Sequence, residues 1–455
     1  MKKIILSTAI ILSSHTFAAS LEEDVVLLKK EIELLKKDQK ENKAENGKLA
    51  DVVEKIETQA FTNKINFGGE VSIRADQLKN TVDDIGGSAM ANPAYENFST
   101  TPDPMISAKF RLNMKANVLD NVNFNGSLEA TRNSSTNSRI ATQRNIKIQT
   151  TYQDTTFEVA RAYMDVKVND MFSFDFGILP TAGGFSNHLS DNKPRQSMFP
   201  GLIFDMSTYG AFTTLNLDSI SSNTVMRAVL AKAYTHDTDK YFYQSNRGNV
   251  KNADIMGLFV EKKINDTLVY AGVNRLGSLK ITPLVSPTSI TTDMPSDLGD
   301  ILNYGLGVES SKIADGGLTV FAHLAFSAPS KSGATANYSV AIPYATGEML
   351  DGNGHAFHAG GQYIFGSTKL GLEYNKGSKY WFSGTQGAED PFNKLATRGS
   401  VVEAYVIQNI NKYVYAKVGA LQISEDYTGS GWHFAEPLTK DAKQTDVYVQ
   451  LGASF

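Results

Sequence analysis

The sequence predicts an all-β transmembrane barrel of about 16 antiparallel strands, preceded by an N-terminal α-helical coiled coil. Three observations support this prediction. Apolar and polar residues alternate from residue 64 onward, short and long connections alternate between these segments, and the chain ends on Phe455 in phase with an apolar face. All three are typical of a barrel whose strands face lipid on one side and a wet lumen on the other.

The composition excludes several classes of function. The chain has 455 residues, no cysteine and a formal net charge of −4. Because there is no basic excess to neutralise phosphates, we expect no nucleic-acid partner. The lack of thiols excludes disulfides, cysteine-ligated metal sites and a cysteine nucleophile. We also expect no cofactor and no bound metal.

Residues 1–19 have the pattern of a signal peptide. Lys2 and Lys3 give a positive start, residues 4–12 form a short apolar core, and residues 16–20 supply mostly small side chains for cleavage. The apolar run is shorter than the roughly 20 residues of a membrane-spanning helix. The chain is therefore expected to be exported, and to cross a membrane only as a barrel.

Residues 20–60 predict a periplasmic coiled-coil stalk. Apolar residues recur in a 4-3 spacing, flanked by Lys and Glu. The predicted seam consists of Leu21, Val25, Leu28, Ile32, Leu35, Leu49, Val53 and Ile56, interrupted by the polar layer Gln39, Asn42 and Asn46. The narrow seam favours self-association. The alternative is an amphipathic helix that lies on its own barrel.

Residues 61–455 form the predicted barrel. In 64–76 and 105–118 nearly every second residue is apolar, over lengths that exceed the usual strand of about 5–6 residues. A tilted membrane strand needs about 9–11 residues. The further predicted strands are 122–132, 157–168, 171–179, 207–217, 223–234, 254–264, 267–276, 303–312, 317–327, 355–365, 368–375, 400–409, 412–424 and 444–455.

The connections between these strands alternate in length. Tight turns fall at 119–121, 169–170, 264–266, 366–367 and 409–411. Between them lie long polar loops at 77–104, 133–156, 180–206, 235–253, 277–302, 328–354, 376–399 and 425–443. Short turns at one end and long loops at the other are typical of an outer-membrane barrel. The alternative is a soluble β-sandwich, whose strands also alternate.

The chain end predicts how the barrel closes. Phe455 is the last of a series of apolar residues in the final strand, and we expect this strand to pair with 64–76. A terminal aromatic residue in this phase resembles the signal that the barrel-assembly machinery recognises. Phe455 is therefore the predicted assembly signal.

Charged residues on the polar faces of the early strands predict a wet lumen, because charges on a lipid face are costly. The predicted pore-lining residues are Glu70, Arg74, Lys109, Arg111, Lys115, Glu129, Arg161, Asp165, Lys167 and Asp175. Six are basic and four acidic, which favours a mild preference for anions. The alternative is that these charges neutralise one another along the wall.

No catalytic set is recognisable, so we expect no enzymatic activity. His355 and His358 stand three residues apart in a predicted strand and therefore face opposite sides. His323 and Glu309 share the inward face but lack a nucleophile at a diagnostic spacing.

Two segments, 177–205 and 369–399, resemble a particular group of barrels. Together with the preceding coiled coil, they are similar to an uncharacterised family of epsilonproteobacterial, porin-like outer-membrane proteins. Ile178 stands where that family often has a basic residue, so no contact is transferred to this position. The resemblance implies a barrel in the envelope of a Gram-negative bacterium and gives no substrate.

The third long loop, 180–206, is rich in Gly, Pro and charged residues, and a resemblance to general porins gives it a role. In general porins the third extracellular loop folds into the lumen and narrows it. The residues that would line such a constriction are His188, Asp191, Lys193 and Arg195. The alternative is an ordinary surface loop.

Two functional hypotheses follow. The first is an outer-membrane porin that lets small hydrophilic solutes or ions diffuse through a charged lumen. The second is a structural or adhesive envelope protein whose coiled coil binds peptidoglycan or a periplasmic partner.

Expected partners are outer-membrane lipid, lipopolysaccharide and the barrel-assembly machinery. A homo-oligomer is expected as well: porins favour a trimer, whereas the seam favours two strands, so its number stays open.

Overall fold

The chain divides into two compact units, residues 1–65 and 66–455, which are described separately. The structure is a computed structural model and describes residues 29–37, 40, 43, 47–48, 52, 65–84, 97–133, 155–179, 183–234, 253–281, 296–313, 316–332, 350–385, 389–431 and 437–455. Among these residues no helix is long and apolar enough to cross a membrane.

In the first unit, residues 29–37 form an α-helix. Two residues of the predicted seam fall in it, Ile32 and Leu35, and both are exposed in the single chain. All residues of this helix are exposed, so their exposure does not distinguish the predicted seam from the other faces. The predicted signal peptide 1–19, the polar layer and the other seam residues lie outside the described residues.

The second unit is a closed barrel of 16 long antiparallel strands with three short accessory strands. The barrel strands are β1 Ile65–Asp84, β3 Met105–Leu119, β4 Val122–Asn133, β5 Thr155–Lys167, β6 Phe172–Leu179, β8 Thr208–Asn216, β9 Thr224–Tyr234, β10 Ala253–Ile264, β11 Thr267–Ile281, β12 Ser296–Ile313, β13 Leu318–Lys331, β14 Gly354–Phe365, β15 Thr368–Gly377, β17 Gly399–Asn409, β18 Val414–Tyr427 and β19 Thr439–Ser454. The accessory strands are β2 Phe98–Thr100, β7 Phe204–Asp205 and β16 Gly384–Thr385.

Pairing of the first and last strands closes the ring. β19 pairs antiparallel with β1, in a register that sets Gln450 opposite Arg74 and Ser454 opposite Glu70. On its other side β1 also pairs with β3. The predicted partnership of the last strand with 64–76 is confirmed. Closure removes the free strand edges that an open sheet would expose.

The period-2 pattern gives the wall two chemically different faces. Large apolar residues such as Val71, Phe110, Leu372 and Leu451 are exposed on the outer face. Their neighbours in sequence point inward, where many polar and charged side chains are buried. An apolar exterior around a polar interior is the distribution that lipid outside and water inside require.

Each of the predicted strands is present, and the largest differences lie at their long-loop ends. β1 continues to Asp84 rather than ending at residue 76, and β12 begins at Ser296 rather than at residue 303. β19 likewise begins at Thr439. These extensions mix polar and apolar residues without a regular alternation. Alternation is required only where a strand crosses lipid, so it could not reveal them.

Two long loops turn into the barrel instead of leaving it. In the third loop, 180–206, Phe185, Phe199 and Ile203 have no exposed surface. In the seventh loop, 376–399, Trp381 and Phe392 are equally buried. The seventh loop was expected to be one of the long polar loops, and its apolar middle departs from that expectation. Its apolar side chains explain why it avoids water.

The two inward loops are joined to each other. β7 of the third loop pairs in parallel with β16 of the seventh loop. Ser383 Oγ also donates a hydrogen bond to the carbonyl oxygen of Leu202, at 3.0 Å. A single-turn α-helix, Asn187–Ser190, and a 3₁₀ turn, Lys394–Ala396, complete the described part of the two loops. The loops therefore form one packed insert inside the barrel.

We predict that Phe199→Ala loosens this insert without unfolding the barrel. Truncating a buried Phe costs about 3–5 kcal/mol, and Phe199 contacts the rings of Phe212 and Phe259 on the wall. Limited proteolysis in detergent should cut the third loop faster in the variant, while the barrel still migrates as a folded band. Phe110→Ala, on the outer face, is the matched control. Equal cutting in both variants would contradict the packing described here.

Candidate functional site

The candidate site lies where the third and seventh loops meet the inner wall of β1, β3 and β4. Six charged residues come together there and are called the cross-lumen cluster: Glu70, Lys109, Arg111, Glu129, Lys193 and Glu389. Four belong to the wall and were predicted from alternation. Lys193 comes from the third loop and Glu389 from the seventh loop.

Strand register creates the wall half of the cluster. Arg111 of β3 lies directly opposite Glu129 of β4, on the inward face. The Arg111 Nε atom donates to Glu129 Oε2 at 3.0 Å, and Lys109 Nζ lies 3.1 Å from Glu129 Oε1. On the other side, Arg111 Nη1 lies 3.2 Å from Glu70 Oε2. Opposite charges at neighbouring sheet positions stabilise each other.

The loops supply the other half. Lys193 pairs with Glu70 of the wall and lies 3.2 Å from Glu389 Oε1. Glu389 also lies 2.7 Å from Arg111 Nη2 and 2.9 Å from Lys109 Nζ. Burial alone would raise the pKa of Glu389, but Arg111, Lys109 and Lys193 outweigh it and hold that pKa well below its ordinary value. Glu389 is therefore ionised at neutral pH.

Cavities adjoin the cluster on two sides. A large cavity of about 800 Å³ is lined by Glu70, Lys109, Lys193 and Glu389, and extends to the tight turns at 366–367 and 409–411. A small cavity of about 30 Å³ is lined by Arg111, Glu129, Lys193 and Glu389. A water molecule needs about 10–15 Å³, so the small cavity has room for roughly two. The cluster thus separates a wide vestibule from a narrow gap.

The remaining predicted wall residues lie on the inward face but do not join the cluster. Arg74 pairs with Asp76 at 2.6 Å and with Asp446 at 3.2 Å. Arg161 donates to Gln196 of the third loop. Asp165 and Lys167 line a third cavity of about 650 Å³ near the turn at 169–170. Asp175 is buried and Lys115 is exposed.

The other predicted residues of the third loop make separate contacts with the wall. Arg195 holds Glu261 through two hydrogen bonds of 2.7 and 3.1 Å. His188 Nε2 lies 3.5 Å from Glu309 Oε1. Burial lowers the pKa of His188 to about 4, so its ring is neutral at neutral pH. His188, Asp191 and Lys193 nevertheless line the same small cavity, whereas Arg195 lies at the cavity of about 650 Å³.

A second charged group anchors the seventh loop and was missed in the sequence. Lys394 Nζ lies 2.7 Å from Glu373 Oε2 and pairs with Glu403. Glu403 also accepts a hydrogen bond from the Tyr448 hydroxyl, at 2.6 Å. Glu373 and Glu403 have the same inward phase as the predicted wall residues, but they lie on later strands. The same alternation of inward and outward residues, followed along those strands, would have identified both acids.

Two histidines of the wall lie beneath the insert. His323 and His358 are fully buried and opposite each other on β13 and β14, with ring centroids 5.8 Å apart. His355, by contrast, is exposed, as the strand parity predicts. Among the described residues, no group of three or more His, Asp or Glu side chains could hold a metal ion.

The sequence comparison decides the family. The family described as "Protein of unknown function (DUF3373)" matches residues 99–452. The chain belongs to this family. A comparison with curated protein sequences gives no match. The expected resemblance to an uncharacterised barrel family is thus confirmed at the level of the DUF3373 family and its porin-like fold.

Solved structures with a similar fold are porin-like barrels. Pseudomonas putida OprB is 14% identical, with a TM-score of 0.51, over 88% of this chain and 96% of that chain. Salmonella typhi OmpF in complex with daunomycin is 12% identical, with a TM-score of 0.45, over 86% and 97%. A triple mutant of Rhodopseudomonas blastica porin is 13% identical, with a TM-score of 0.41, over 86% and 100%. At these identities the likeness concerns the fold alone.

We predict that Asp191 makes ion selectivity depend on pH. Burial, reinforced by Glu389, raises the pKa of Asp191 from 3.8 to about 7. Acidification from pH 8 to pH 6 should therefore remove one negative charge beside the large cavity and shift the reversal potential in a salt gradient toward anions. Bilayer recordings at both pH values would measure this shift.

Asp191→Asn provides the control for this pH effect. The charged groups that act on Asp191 are Glu389, Lys193, Lys417 and Lys394. Glu389 and Lys193 stay ionised in this range, because the pKa of Glu389 is lowered and that of Lys193 is raised. A reversal potential that still changes in Asp191→Asn would assign the effect to another group.

Proposed function

We propose that the protein is an outer-membrane channel for passive diffusion of small hydrophilic solutes or ions. The observation that carries this proposal is the cross-lumen cluster, which spans the interior of a closed 16-strand barrel between two loops and the wall. Barrels of about 16–18 strands enclose an aqueous channel when the lumen is free. Here the insert takes up part of it, and the charged cluster borders the vestibule.

Transport requires the cluster to rearrange. The small cavity of about 30 Å³ beside Arg111 and Glu129 would admit little beyond water. Loop and side-chain motions occur within nanoseconds to microseconds, and ion pairs that border water exchange readily. The channel is thus proposed to be narrow, and to pass solutes when loop contacts such as those of Lys193 and Glu389 open.

The pattern of ion pairs refines the expected selectivity. Lys109 and Arg111 were expected to favour anions, but each pairs with Glu129 and Glu389 in the closed arrangement. In that state the wall charges largely neutralise one another. Selectivity would therefore come from the charges that become free when a loop residue leaves the cluster.

The protein's location and partners follow as proposals from the porin-like fold. We place the barrel in the outer membrane of a Gram-negative, epsilonproteobacterial cell, in contact with lipid and lipopolysaccharide. Phe455 is exposed, and we propose it as the residue that the barrel-assembly machinery recognises. A homo-oligomer, with residues 20–60 as a stalk that reaches peptidoglycan, completes the proposal.

A structural or adhesive envelope protein is the second candidate. The observation that favours it is the packed insert, because the interlocked third and seventh loops fill much of the barrel with side chains. A barrel with a permanently filled lumen could serve as an anchor for the stalk. The two candidates differ in a single property, conduction by the folded protein.

We predict that purified protein in a planar lipid bilayer produces discrete conductance steps. Replacing Lys109 and Arg111 together by Glu should move the reversal potential toward cations, because the lumen gains negative charge at the cross-lumen cluster. Lys115→Glu, on the same strand but exposed and outside the cluster, should have a smaller effect.

One result would count against a channel, and another against the role of the cluster. A preparation that shows the heat-modifiable migration of a folded barrel, yet never conducts, would favour the structural candidate. Equal shifts from Lys115→Glu and from the double variant would show that the cluster does not control the path.

A further inference from the structure

Three cations from other parts of the chain surround the carboxylate of Glu389. Its Oε1 atom accepts from Arg111 Nη2 at 2.7 Å and lies 3.2 Å from Lys193 Nζ. Its Oε2 atom accepts from Lys109 Nζ at 2.9 Å. Both carboxylate oxygens therefore have charge-assisted donors, which is the arrangement that proteins use to bind a carboxylate ligand.

The carboxylate is held by these contacts rather than by the sheet. Glu389 belongs to no strand, and the turn that follows it is anchored by separate contacts. Asp390 accepts from the backbone N–H groups of Phe392 and Lys394, at 2.9 and 2.6 Å. Lys394 in turn is anchored to Glu373 and Glu403. The side chain of Glu389 can therefore swing away while the anchored turn and the barrel stay in place.

The same site faces the vestibule. Glu389, Lys109 and Lys193 all line the large cavity of about 800 Å³, whereas Arg111 lines only the small cavity behind them. A solute that enters the large cavity therefore meets Lys109 and Lys193 directly, and reaches Arg111 only where the Glu389 carboxylate lies. Four further lysines line this cavity, Lys369, Lys394, Lys412 and Lys417.

We propose that Glu389 is a tethered substitute for the carboxylate group of a small organic anion, which displaces it when the anion passes through the barrel. This inference rests on the proposed channel and adds its substrate class. With Glu389 withdrawn, three cations face only Glu70 and Glu129, and the cluster has one excess positive charge. Partly buried cations that lose their partner strongly favour a new anion.

A free carboxylate can compete with Glu389 because it would accept from the same three donors, Arg111, Lys109 and Lys193. The planar fork of Arg111 fits a carboxylate well, since its guanidinium already contributes to such contacts with Glu129 and Glu389.

Glu389→Gln tests this inference in the full-length protein. Liposome swelling would compare the entry of sodium acetate and sodium succinate with that of a neutral pentose. We expect the variant to raise the ratio of acetate to pentose flux by about fivefold, a factor typical of two ligands coupled through shared contacts. Adding Lys193→Gln to this variant should reverse most of the gain.

Glu261→Gln is the matched control. It also removes a carboxylate that binds a cation of the third loop, Arg195, but it lies at the cavity of about 650 Å³. The ratio of acetate to pentose flux should stay at the wild-type value. If Glu389→Gln does not fold, Glu389→Asp withdraws the carboxylate by one methylene and should give an intermediate ratio.

Three results would overturn the inference. Equal gains for acetate and pentose in Glu389→Gln would make Glu389 a steric plug. An unchanged ratio would place it outside the path, and a larger gain for inorganic phosphate than for acetate would contradict the carboxylate class. Failure of the channel itself is separate, because wild-type protein would then admit neither pentose nor acetate.

Discussion

The apolar core inside the barrel determines where the charged groups of the lumen lie. Phe199 of the third loop packs edge-on against Phe259 of the wall, with ring centroids 4.8 Å apart, and also contacts Phe212. Such pairs add to the free energy gained when the rings leave water. Because the loop is fixed by this core, Lys193 and Arg195 reach carboxylates on opposite parts of the wall.

The seventh loop depends on the same core. Trp381 is fully buried, and its indole N–H donates to the Leu395 carbonyl oxygen at 2.9 Å. The parallel pairing of β7 and β16 ties this loop to the third loop. The position of Glu389 is therefore a consequence of packing at a distance, and its three cationic contacts follow from that position. Apolar burial fixes the loops, and electrostatics then acts within the narrow space that remains.

The sequence was most informative where one physical rule acts on every residue. Lipid outside and water inside impose a period of two, and this period predicts both the strands and the inward phase of Glu70, Lys109, Arg111 and Glu129. It also predicts that His355 and His358 point in opposite directions, as they do. The period of two is required only where a strand crosses lipid. The extended ends of β1 and β12 could therefore not be predicted from it.

The loops obey no such period, and the candidate site was predicted only in part. The inward course of the third loop followed from resemblance, whereas the seventh loop was taken as polar despite Trp381, Phe382 and Phe392. Those apolar residues were the available signal, since a loop at a surface would expose them to water. Glu389 could not be found by any pattern, because its role depends on contacts with residues more than 190 positions away, such as Lys193 and Arg111.

Tryptophan fluorescence tests most directly whether the third and seventh loops form a packed insert within the barrel. The chain has two tryptophans, so Trp432→Phe leaves Trp381 as the single reporter. In lipid vesicles, Trp381 should emit at shorter wavelength than in the urea-unfolded protein and should resist quenching by acrylamide, because its side chain is fully buried. Emission and quenching equal to those of the unfolded chain would contradict the insert and, with it, the position assigned to Glu389.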